Sequence, residues 1–131
     1  MKLLLDSKII RYMKLYQTIF HDHILDCAEN DNYIYFVIEE NEDPKEKFEK
    51  IGALENLLKK KVRIIRFKSD IKDFIKELVP ELLDVRIENN TVKILVRKYD
   101  KPKVLGKNRS TLKIIERFLK RFFNIEEVKV L

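Results

Sequence analysis

The hydrophobic residues of this chain recur at two spacings, and the points where one spacing gives way to the other divide it into elements. Ile9, Met13, Tyr16 and Phe20 come round every three or four positions, which predicts a helix with one core-facing stripe, capped by Asp6 or Ser7. The segments from His23 to Glu29 and from Tyr33 to Glu39 read as strands joined by the turn-forming Asn30-Asp31-Asn32. Tyr33 to Ile38 is apolar on both alternate faces, so that strand is expected at the centre of its sheet with both sides covered. Pro44 favours a helix start, and Phe48, Ile51, Leu54 and Leu58 make the next helical stripe. The β-branched run from Val62 to Phe67 predicts a strand.

The pattern then begins again. Ser69 or Asp70 can cap a helix in which Ile71, Phe74, Ile75, Leu78 and Val79 share a face until Pro80 ends it. Leu83, Val85 and Ile87 alternate in one strand, Asn89-Asn90 turns the chain, and Val92, Ile94 and Val96 alternate in the next. A basic loop follows, then a helix with Leu112, Ile115, Leu119 and Phe122 on one face, then a strand from Val128 to Leu131. Both halves spell helix, strand, strand, helix, strand. Sliding one over the other by 61 positions sets Ile51 on Leu112, Glu55 on Glu116 and Lys45-Glu46-Lys47-Phe48 on Gly106-Lys107-Asn108-Arg109. Without a Gly-, Ser- or Pro-rich linker, and with halves of about 65 residues that are marginal alone, the expectation is an α+β chain of two units. They span residues 1–68 and 69–131 and pack as one rigid body.

The net charge of +6 is unevenly spread. From Arg97 to Arg121 ten Lys or Arg meet two acids, a local +8, so the remainder of the chain sums to −2. Gly106, one of two glycines in 131 residues, is followed by Lys107-Asn108-Arg109 and then helix. Backbone amides at a helix N-terminus, ringed by cations and reachable where a glycine carries no side chain, suit a phosphate. In the matching place of the first half, from Glu39 to Lys50, six acids face three lysines, a surface that repels a nucleic-acid backbone. That half is expected to be mainly structural. Lys59-Lys60-Lys61 reads as a solvated helix end whose cations suit the C-terminal dipole.

Several classes of function find no footing. No apolar run approaches the roughly 18 residues of a membrane span, and Leu3-Leu4-Leu5 is too short for a signal-peptide core, so a soluble, cytoplasmic chain with no membrane partner is expected. Cys27 has no internal disulfide partner and reads as a small buried side chain. His21 and His23, with Cys27 nearby, lack the further ligands of a tetrahedral metal site. No P-loop, nucleophile elbow or zinc-protease motif is present, so neither metal, cofactor nor catalysis is expected. Tyr99, beside the basic loop, is the one exposed aromatic candidate, for which packing is favoured over base stacking.

The segment VLGKNRSTLKIIERFLKRFFNIEEVKVL, residues 104–131, resembles the second KH domain of archaeal NusA-like transcription factors. LENLLKKKVRIIRF, residues 54–67, resembles the end of their first. The resemblance covers essentially the whole chain and implies two tandem type II KH domains, αββααβ units whose Gly-x-x-Gly loop clamps the backbone of about four nucleotides. It also implies a protein made only of the KH pair, lacking the polymerase-binding and S1 domains of bacterial NusA. The loop departs from the family's Gly-Lys-Gly-Gly, because its last glycine is replaced by Arg109. A guanidinium can itself bind phosphate in a fork geometry, and Asn108 tolerates a left-handed backbone.

What the resemblance implies is an RNA-binding transcription elongation or termination factor that grips single-stranded RNA through Lys103, Gly106, Lys107, Asn108, Arg109, Ser110 and Lys113. Lys103, Lys107, Arg109 and Lys113 would hold phosphates, Gly106 would allow the tight turn and Ser110 would cap the next helix. A groove between helix and strand would take the bases, and RNA polymerase or other transcription machinery would be the further partner. The competing expectation is a degenerate KH adaptor whose basic face docks an acidic, polymerase- or ribosome-associated protein without binding RNA.

Overall fold

A computed structural model of the chain describes residues 7–21, 23–39 and 48–131. They form two compact units, Met1–Phe67 and Lys68–Leu131, each with a three-stranded sheet. The first unit runs α1 (Ser7–Phe20), β1 (Ile24–Glu29), β2 (Tyr33–Ile38), α2 (Phe48–Leu58) and β3 (Lys61–Arg66). The second runs α3 (Ile71–Leu78), β4 (Asp84–Glu88), β5 (Thr91–Leu95), α4 (Lys101–Leu105), α5 (Ser110–Phe123) and β6 (Glu127–Val130). The expected cap at Asp6, the Pro44 helix start and the first loop at Lys45 to Lys47 lie outside the described residues, as does most of the acidic run around them.

In the first unit β2 is central, antiparallel to β1 and parallel to β3. Its apolar character at every position has the expected consequence: Ile34 to Ile38 are all 3% exposed or less. The hairpin before it is held by Asn30, whose side-chain oxygen accepts from the amides of Asn32 and Tyr33 at 3.0 and 2.9 Å. Leu25 is an extra residue in β1, since Ile24 pairs with Ile38 and Asp26 with Val37. Such a bulge resets the alternation, so Ile24 and Cys27, three apart, both reach the core built on α1 and α2. There Tyr16 stacks 4.7 Å from Phe36, with Tyr12, Leu54 and Val62 around them.

One polar cluster, whose members no local stretch of sequence contains, ties this unit together. Glu29, at the end of β1, accepts from the Tyr12 hydroxyl and the Lys60 ammonium at 3.0 Å each, and its other oxygen meets Lys8 at 3.0 Å. Lys60 is therefore not the solvated cation expected of a helix end; its partner comes from 31 residues away. Glu55 closes the same corner by accepting from the Val62 amide at 2.9 Å, while Lys59 takes a left-handed φ of 60° to end α2.

The second unit repeats the strand order β4-β5-β6, antiparallel then parallel. Asp70 caps α3, accepting from the amides of Lys72 and Asp73, and Asn89 supplies the left-handed residue of the hairpin turn. Val85, Val92, Ile94 and Val128 turn inward, whereas Arg86, Glu127 and Lys129 are exposed, so this sheet is covered on one face only. The helices meet through Phe74, whose ring lies 5.7 Å from Phe122 and 5.6 Å from Phe123.

A single offset of 61 does not carry one unit onto the other. The first pairs of the two parallel ladders, Tyr33 with Lys61 and Thr91 with Glu127, differ by 58 residues on the central strand and 66 on the last. Part of the drift is the longer second helix, 14 residues in α5 against 11 in α2.

Burial pushes the Glu29 carboxyl up, but hydrogen bonds from Lys60, Lys8 and Tyr12 outweigh it and hold the group below its ordinary value. A carboxylate lowered on folding contributes stability present above its unfolded pKa and lost as the pH falls through its folded one. Glu29→Gln is expected to cost about 1 kcal/mol at neutral pH. In urea unfolding the gap to wild type should close as the pH drops below 4.5, and a pH-independent gap would contradict the assignment.

Candidate nucleic-acid interface

The basic stretch is not a loop throughout. After β5 the amides of Asp100 and Lys101 bond to the Arg97 carbonyl at 2.9 and 3.2 Å, and the chain enters the short helix α4. Pro102 sits in its first turn, where a missing N–H costs nothing, and Val104, 3% exposed, anchors it to the core. Five residues with one buried position show no periodicity, so the apolar pattern announces no helix there.

Gly106 ends α4. Its φ of 73° and ψ of 171° belong to a region essentially closed to other residues. The space is closed too: a Cβ there would lie 2.8 Å from the Thr111 amide nitrogen and against that residue's hydroxyl. A 3-10 turn over Lys107–Arg109 follows, in which Asn108 (φ 54°, ψ 31°) and Arg109 (φ 61°, ψ 25°) are both left-handed. The expected tolerance of Asn108 is used. Arg109 takes the same backbone with a full side chain, at a cost of roughly 1–2 kcal/mol.

Ser110 is not the cap expected of it. It has helical dihedrals (φ −63°, ψ −37°), stands as the first residue of α5 and donates its amide to the Lys107 carbonyl. The cap position belongs to Arg109, without a side-chain cap bond. The amides of Lys107 and Asn108 meet no acceptor among the described residues. They are thus available to an anion.

From this turn a line of cations continues along α5. Arg109, Lys113 and Arg117 recur every fourth residue and share an edge of the helix, with Lys120 after them, all exposed. Leu112, Ile115, Phe118 and Leu119 hold the opposite side in the core. Beside the cations a groove of about 300 Å³ separates α5 from β6. Lys113, Glu116, Arg117 and Lys120 line it from the helix, Ile125, Glu126 and Val128 from the turn and strand.

The structure therefore brings Gly106, Lys107, Asn108, Arg109 and Ser110 into one turn and sets Lys113 at the head of the groove. Lys103 stands apart on α4, exposed but 2.9 Å from the carboxylate of Glu81, a counterion no local pattern announced. Arg117 and Lys120, which the sequence pattern places only on a basic helix face, line the groove directly. Tyr99 is 72% exposed, so the expected packing is not found. His21 and His23 are both exposed, and no cluster of His, Cys, Asp or Glu suited to a metal occurs among the described residues. No described helix is long and apolar enough to cross a membrane.

The architecture is mixed α+β with two three-stranded sheets, which fits a KH-like fold. The chain is 23% identical over 135 residues to the probable transcription termination protein NusA of Thermoplasma acidophilum, an alignment spanning 95% of this chain and 93% of that protein. The crystal structure of APE1850 matches it with a TM-score of 0.69 at 24% identity, over 97% of this chain and all of that one, a likeness of fold. No family model matches.

Substitutions at the two ends of the turn should act in opposite directions. Gly106→Ala is expected to cost about 2 kcal/mol, because both backbone region and space exclude a Cβ. Arg109→Gly should raise stability by about 1 kcal/mol by removing a left-handed non-glycine residue. Chemical denaturation of both variants tests this; an Arg109→Gly protein less stable than wild type would mean that the side chain holds the turn.

Proposed function

We propose that the chain is a tandem pair of type II KH domains that binds single-stranded RNA through its second unit and serves as a transcription elongation or termination factor. The observation that carries this reading is the turn from Gly106 to Arg109. It joins two consecutive helices inside an αββααβ unit, leaves the amides of Lys107 and Asn108 without a backbone acceptor among the described residues, and leads into a basic edge of α5 that borders a groove. The NusA-like relative, named as a probable transcription termination protein, supports the cellular setting.

The mechanism is positional. Lys107 and Arg109 take a phosphate at the head of α5 together with the open amides, the guanidinium standing in for the close backbone approach that a second glycine would permit. Lys113 and Arg117 hold the next phosphates, and the α5–β6 groove receives the bases against Ile125 and Val128. Lys103 joins only by exchanging Glu81 for RNA, so its share is small. The first unit is mainly structural, no chemical step is needed, and transcription machinery is the protein partner.

Four phosphate contacts on a single strand give a log–log salt slope of about −3. Fluorescence anisotropy with short unstructured RNAs should show this slope, and Lys107→Glu should weaken binding to all sequences alike. Absence of binding at low salt would overturn the RNA reading in favour of an adaptor that docks an acidic protein.

A further inference from the structure

Tyr99 is the most exposed aromatic side chain among the described residues, at 72%. An aromatic ring left in water contributes little to folding and is open to a ligand. The ring is nonetheless held in place. Arg97 donates from Nη1 to the Tyr99 hydroxyl at 2.7 Å, and its guanidinium carbon lies 6.0 Å from the ring centroid. The backbone beneath is fixed by the turn that opens α4, where the amides of Asp100 and Lys101 both reach the Arg97 carbonyl.

Two consequences follow for any ligand. The hydroxyl accepts from Arg97 and keeps its own O–H to donate, so the apolar surface the side chain offers is the face of the ring. Ordering the ring in advance also removes much of the entropy a free tyrosine would lose on binding. Lys98 and Lys101 flank it, so a polyanion is drawn to the same place. Tyr99 precedes α4 and the Gly106 turn follows it, and a five-residue helix is about 7.5 Å long. A short piece of single strand spans that length.

We propose that Tyr99, braced by Arg97, is a stacking platform for a base of the strand whose phosphates the Gly106–Arg109 turn holds. The inference rests on the RNA reading above and adds a contact of another kind. Stacking is indifferent to salt and tolerant of sequence, whereas phosphate contacts set the salt slope.

The test is anisotropy of the intact protein with short uridine and adenine oligomers over a range of salt. Tyr99→Ala should weaken binding about tenfold while leaving the salt slope unchanged, with a larger loss on adenine, and Tyr99→Phe should stay within about threefold of wild type. Thermal unfolding should be unaltered in both, since the residue is exposed. If Tyr99→Ala binds as wild type does, the platform is refuted and the RNA reading stands. Equal losses for Tyr99→Ala and Tyr99→Phe would show that the hydroxyl matters and not the ring, which also refutes it. If wild type binds neither oligomer at low salt, both readings fall together.

Discussion

The parallel pairing of the last strand with the central one is the constraint on which each unit depends. An antiparallel neighbour needs only a tight turn, as at Asn89-Asn90, but a parallel neighbour is reached only by a crossover that carries the chain back along the sheet. In the second unit that crossover is α4 and α5, and four residues join them. Gly106 makes the junction possible, because only a residue without a Cβ fits both its backbone angles and its approach to Thr111. The residues that close the fold are thus the same ones that present open amides and cations at the start of α5.

Much of this was legible in the residues. Helical stripes in α1, α3 and α5 and alternation in β4 and β5 placed those elements within a residue or two, because each buries a repeated apolar pattern longer than one turn or one pleat. The central place of β2 followed from apolar residues on both its faces, and the turn-forming power of Asn30 was spent as expected. α4 escaped the apolar pattern because Val104 alone of its five residues is buried, although the αββααβ order that the resemblance implies has a helix before the loop. The left-handed backbone of Arg109 escaped because nothing in an arginine announces it. Glu29 with Lys60 and Glu81 with Lys103 are tertiary pairings, which no local window contains.

The two units share one strand topology and differ in how their charges are placed. In the first, Glu29 gathers Tyr12, Lys8 and Lys60, so its cations are drawn into holding the fold. In the second, Lys107 and Arg109 are exposed in the turn before α5 and Lys113 on the helix itself, beside a sheet that leaves its other face to solvent. A partly buried carboxylate that gathers cations adds to stability, whereas cations on an exposed edge favour an approaching polyanion.

The central claim, that the second unit grips RNA at the turn between α4 and α5, is tested most directly by ultraviolet crosslinking of the intact protein to cellular RNA, with identification of the attached peptides. The account predicts attachment within residues 103–113. Crosslinks confined to the first unit, or none at all, would contradict it.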